Sequence, residues 1–149
     1  MANTTSKNYI DSMDDFFKKA PALPVTWREF LVKVSPWLAL VFGIIGVIGG
    51  LAAVGLLTAL SPLAIFGGTS GVASYGGGVI AGFIWLASAV LEVIAFPGLK
   101  ARKIVGWNWL FWSQALSVLG SVVAGSLGSA ILGFLLGFYI LFQIRSYYK

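Results

Sequence analysis

Residues 104–144 read IVGWNWLFWSQALSVLGSVVAGSLGSAILGFLLGFYILFQI, and no Lys, Arg, Asp or Glu interrupts them. A helix crossing a hydrocarbon core of about 30 Å needs roughly 20 apolar residues. The stretch is therefore too long for one crossing and barely long enough for two. Gly125-Ser126-Leu127-Gly128 is the turn signal near its middle. Cutting there predicts a third membrane span over about 107–124 and a fourth over about 129–143, joined by a very short turn as a helical hairpin.

Working outward, the segment between Lys33 and Glu92 is equally free of Lys, Arg, Asp and Glu. It predicts a first span over about 37–60, ended by Ser61-Pro62, and a second over about 78–96, closed by Pro97-Gly98. Residues 61–77 are uncharged but rich in Gly, Ser and Thr. They read as an extracytoplasmic loop, with a short half-inserted piece around Leu63–Phe66 left open. Its glycines are not a phosphate loop, because no Lys-Ser/Thr follows and no strand precedes. The fold expected is an all-α, four-transmembrane-helix bundle.

Ahead of the first span, residues 1–24 are polar and read as a cytoplasmic segment. Tyr9, Ile10, Met13, Phe16 and Phe17 recur there at helical spacing among acids and lysines. That pattern suits an amphipathic helix lying on the membrane or packed against a partner. Residues 25–35 read as an interfacial helix, with Thr26 and Glu29 at capping-box spacing. Pro36 is taken as the turn into the bilayer, and residues 36–149 as the membrane domain.

Composition agrees. Of the 149 residues, 58% are hydrophobic and 10% charged, whereas soluble domains run at roughly 45–50% and 25%. A soluble fold this small could not cover its surface with so few charges. The polar N-terminal segment and the length of the first apolar run argue against a cleaved signal peptide. The net charge of +5 is better assigned to topology and lipid headgroups than to nucleic acid. Five of the ten basic residues precede the first span, three (Lys100, Arg102, Lys103) lie between the second and third, and two follow the fourth. Both termini and the basic turn are thus expected on the cytoplasmic side. Trp27, Trp37, Trp107, Trp109, Tyr147 and Tyr148 would lie at that interface.

Lipid gives no hydrophobic drive to helix association, so small residues must let backbones approach. Gly46 and Gly50, Gly78 and Gly82, and Gly133 and Gly137 supply such pairs, and Ser113, Ser117 and Ser121 form a ladder. Packing within one chain, an oligomer interface and a pore lining all remain open for them.

Glu92 is the one acid deep in an apolar run. Charge at that depth costs at least ~2.5 kcal/mol, so it should face protein. Gln114 falls at a similar depth on the returning helix, with Ser113 and Ser117 beside it, and a Glu92–Gln114 hydrogen bond is expected. Glu92 is read as structural, as a coupling or binding carboxylate, or as paired with another subunit. Asn108 and Gln143, near the cytoplasmic interface, could line a vestibule with it.

An enzyme is not expected. With no Cys or His and one membrane acid, neither a nucleophile–base dyad, an aspartate pair nor a metal site can be assembled within the bilayer. No cofactor is expected either. The bilayer itself is a partner, and a second copy or another membrane protein is a further one. In length and helix count the chain is similar to the small multidrug resistance family, whose members use one membrane carboxylate. Here, however, the acid lies in the second span and the charge asymmetry opposes dual topology, so that assignment is not carried over. The strings Pro97–Trp112 and Leu141-Phe142-Gln143-Ile144-Arg145 resemble small bacterial membrane proteins without a defined activity, which suggests a bacterial cytoplasmic membrane. A structural or accessory subunit asks least of these residues; a small transporter or channel built on Glu92 is the alternative.

Overall fold

The computed structural model describes residues 2–149, with side chains from Tyr9 onward, and is helical with no strand among the described residues. In chain order the elements are α1 (Ala2–Phe17), α2 (Val25–Ala59), α3 (Ser61–Ala64), a 3-10 turn (Ile65–Gly67), α4 (Gly68–Lys100), α5 (Ile104–Val123), α6 (Leu127–Leu132), a π-helical turn (Gly133–Gly137) and α7 (Phe138–Ile144). A final 3-10 turn (Arg145–Tyr147) extends the α6–α7 rod.

Three helical stretches are long and apolar enough to cross a membrane: Val25–Ala59, Ser61–Lys100 and Leu127–Tyr147. Trp37, Phe42, Ile45, Ile48 and Leu51 stand exposed along the first. A soluble monomer does not tolerate an apolar face of that size, and these helices are consistent with an integral membrane protein. On this criterion three of the four expected spans qualify, and the four-helix bundle is not shown. Helix α5 has the length, at 20 residues, but Asn108, Gln114 and its tryptophans and serines dilute its apolar character.

The helices also outrun the expected boundaries. Helix α2 passes through Pro36 without a break, and α4 passes through Pro97 to Lys100. Residues 61–77, read as a loop, are helical and 3-10 throughout, interrupted only where Gly68 takes φ +62. Gly, Ser and Thr are weak helix formers in water. Among apolar surroundings the backbone must bond to itself, and helix is then the cheapest solution even across proline.

Both turns flanking α5 end their preceding helix the same way. After α4, Arg102 N donates to Leu99 O (3.0 Å) and Lys103 N to Gly98 O (2.9 Å). After α5, Gly125 N donates to Val122 O and Ser126 N to Ser121 O, both at 2.9 Å. This is the Schellman cap, which needs a left-handed residue at its hinge. Gly125 supplies it at φ +74, and Arg102 supplies it at φ +52.

Helix α4 lies between α2 and α5. Gly43, Gly46 and Gly50 of α2 press on Val93, Ala89 and Leu86, and Gly82 of α4 accommodates Val54. On its other face Gly98 meets Gly106 of α5, and Gly120 meets Ile84. Trp107, wholly buried, donates Nε1–H to Leu141 O at 2.9 Å and so ties α5 to α7. Tyr148 is buried as well. These two pack into the chain's own core rather than standing exposed.

Helix α1 spends its apolar face on its own chain. Phe17 stacks on Phe142 with ring centroids 5.4 Å apart and also reaches Phe134 and Phe138. Arg145 clamps the helix through Asp11 (2.8 Å) and Asp14 (2.9 Å). The linker behind it is held by Tyr139 and Gln143, whose side chains bond Pro21 O and Leu23 N. The N-terminal segment, the Lys100–Lys103 turn and the end of α7 therefore gather at one end of the molecule.

Candidate functional site

The α4–α5 hairpin builds the surroundings of Glu92. Its closest approach is Gly98 on Gly106, where the missing side chains let the two backbones touch. Two helical turns further from the basic turn, that register sets Ser113 of α5 against Ser88 and Glu92 of α4. Ser113 is fully buried and Ser88 nearly so. The Ser113 hydroxyl donates to Ser88 O at 2.9 Å and lies 3.2 Å from Glu92 Oε1. One hydroxyl proton thus serves two acceptors, and the half-buried carboxyl completes the interhelical link.

The bond expected between Glu92 and Gln114 is replaced by this one. Adjacent residues on a helix point about 100° apart, so Ser113 and Gln114 cannot both face α4. Gln114 turns to the other side and donates Nε2–H to Gly133 O at 2.9 Å. The turn beginning at that carbonyl is the π-helical one, as a side chain bonded into a helix ladder can cause. Gly137 is pressed against the same amide: a Cβ there would run into Gln114.

Ser117 lies a turn beyond Ser113, its carbonyl taken by Ser121 Oγ at 3.0 Å. Both serines line a groove of about 350 Å³ whose walls include Leu57, Gly78, Gly82, Trp85 and Ser129. The groove carries no charged residue. Of the expected packing glycines, Gly46, Gly50, Gly82 and Gly137 sit in tight contacts, whereas Gly78 and Gly133 make only ordinary ones. Gly43, Gly98 and Gly106, not singled out from sequence, make some of the closest approaches. Within one helix nothing pairs Gly98 with Gly106; only their flanking of the same turn could have signalled it.

Gln143 is engaged by the 21–23 linker rather than by Glu92. Asp14 and Asp15 also pair with Lys18, so with Arg145 on Asp11 and Asp14 these acids are already matched by cations. At the same end Tyr148 shares a 2.8 Å hydrogen bond with Ser35. Burial pushes its hydroxyl above the ordinary tyrosine value, against the opposing pull of the Ser35 bond and the Arg102 charge. What this arrangement offers chemically is hydrogen bonding inside a helix contact.

Compared with protein-family models, curated proteins and solved structures, the chain matches none.

Proposed function

We propose that α2, α4, α5 and the Leu127–Tyr147 helix all cross a bacterial cytoplasmic membrane, with both termini on the cytoplasmic side, and that the protein is a structural or accessory subunit of a membrane assembly. At about 1.5 Å per residue, the 20 residues of α5 measure one hydrocarbon thickness, and α5 packs along helices on both sides. Nine of the ten basic residues, all but Lys7, fall at or near the end where the N-terminal segment, the Lys100–Lys103 turn and the end of α7 meet, which supports that end as cytoplasmic. The observation that carries the accessory reading is the Ser113–Glu92 link: the one acid between Lys33 and Arg145 is spent on the chain's own packing. Outside it, the long helices show apolar surface suited to lipid or to a neighbouring helix.

A second reading, a small transporter or channel in which Glu92 binds or couples, is favoured by the groove. Its serines lead along α5 towards Ser113 and the carboxyl. Carbodiimide labelling of Glu92 in native membranes over a pH series, with Glu92→Gln as control, separates the two. An unlabelled carboxyl, together with migration of the protein in a larger complex on native gels, supports the accessory reading. Labelling that titrates with pH, in a protein migrating alone, overturns it in favour of transport.

A further inference from the structure

The end of the molecule that gathers the termini holds a second concave site, remote from Glu92. Glu29, Val32 and Lys33 of α2, Arg102 of the α4–α5 turn and Tyr147 enclose a pocket of about 310 Å³. Its two cations are unspent. Among the described residues the ion pairs join Lys18 and Arg145 to Asp11, Asp14 and Asp15, and none involves Lys33 or Arg102.

Arg102 is also held in place. Its N–H bonds Leu99 O and its carbonyl accepts from Lys149 N–H at 3.1 Å, while Ile104 N–H returns a bond to Lys149 O. At φ +52 this is a position glycine occupies with less strain. The arginine puts a guanidinium on the pocket wall that glycine would leave bare. The Trp37 ring, one turn along α2 from Lys33, and the Phe96 ring of α4 lie 5.8 and 5.9 Å from the Lys100 ammonium. A cation resting on an exposed tryptophan beside a long apolar helix marks the depth of lipid headgroups.

We propose that this pocket binds a phosphate oxyanion, supplied by the phosphodiester of a membrane phospholipid. Lys33 and Arg102 hold the phosphate oxygens, the guanidinium through paired N–H donors. Glu29, on the same pocket wall, accepts a hydrogen bond from the headgroup beyond the phosphate. The class favoured is therefore a lipid whose headgroup carries a hydroxyl or primary ammonium, as glycerol and ethanolamine headgroups do and choline does not. The site stands independently of the accessory reading.

The test uses the full chain, delipidated in detergent and titrated with phosphatidylglycerol, phosphatidylcholine or inorganic phosphate. Native mass spectrometry reads bound mass and thermal unfolding reads stabilisation. Phosphatidylglycerol is expected to give a single adduct and a higher midpoint, phosphatidylcholine much weaker binding, and inorganic phosphate no shift. Arg102→Gly, which relieves the left-handed backbone and so retains the fold, and Lys33→Gln are each expected to weaken the adduct about fivefold. No adduct in the wild type, or an undiminished one in both variants, overturns the proposal. A midpoint shift with inorganic phosphate as large as with lipid overturns the lipid as the source. Equal binding of phosphatidylcholine overturns the headgroup assignment.

Discussion

Gly98 and Gly106 touch backbone to backbone across the α4–α5 turn: a Cβ on Gly98 would lie 2.6 Å from the Gly106 Cα. No rotamer change relieves that overlap, because the obstruction is main chain. Gly106→Ala must push the two helices apart, at about 1–3 kcal/mol or more, and with them the Ser113–Glu92 link. Gly49→Ala, where nothing lies within 4 Å, should instead stabilise by roughly 0.5–1 kcal/mol through helix propensity alone. Thermal unfolding of both variants in one detergent checks the contrast; equal midpoints would refute the close contact.

Ser113→Ala leaves Ser88 O and Glu92 without their shared donor inside the hairpin, a loss of about 1–3 kcal/mol. Glu92→Gln keeps an oxygen facing Ser113 and should lose less. Unfolding of the two single variants and the double gives the coupling. Independent, additive losses would show that the contact contributes nothing.

Gly137→Ala brings a methyl group against the Gln114 amide. Gln114 can swing away, but only by giving up its bond to Gly133 O. The loss should largely vanish in a Gln114→Ala background, leaving a coupling energy of about 0.5–3 kcal/mol between the two sites. A penalty unchanged in that background would mean the methyl group clashes elsewhere.

Tyr148 gives the end of the molecule at the Lys100–Lys103 turn a pH dependence. Its hydroxyl is raised above the ordinary 10.0 by burial, so the folded chain holds that proton more tightly than the unfolded one. The stabilisation is complete below pH 10 and is lost as pH rises through the higher folded value. Midpoints measured from neutral to strongly alkaline pH should fall more steeply in the wild type than in Tyr148→Phe. Identical profiles would remove Tyr148 from the account.

Phe17→Ala removes the ring that stacks on Phe142, and truncating a buried phenylalanine costs about 3–5 kcal/mol. Helix α1 is expected to detach while the long helices stay folded, exposing residues 18–24 to protease. Resistance equal to that of the wild type would show that Arg145 and its aspartates hold α1 unaided.

What could be read beforehand follows from what each pattern encodes. Apolar runs and the clustering of basic residues report surroundings, and they pointed to long membrane-compatible helices and to the short turn at Gly125. They do not report where a helix stops when water is excluded, so in the sequence Pro36, Pro97 and the glycine-rich 63–77 stretch look like breaks. Depth along a helix is a matter of counting, which put Ser113 and Gln114 level with Glu92. Azimuth depends on how two helices are rotated in contact, and that rotation is set by Gly98 on Gly106, a tertiary fact. The amphipathic face of α1 was visible in Ile10, Met13 and Phe17, while its seat on α7 was not.

The seat of α1 also imposes an order of events. Asp11 pairs with a residue 134 positions later, and the rings that receive Phe17 all lie between Phe134 and Phe142. Chains are made from the N-terminus, so α1 leaves the ribosome before the helix it docks on and has no seat until α7 has been made. Its amphipathic face lets it rest on the membrane surface meanwhile. The closing of α1 onto α7 is then a late step in biogenesis, one that reports that α7 itself has been completed.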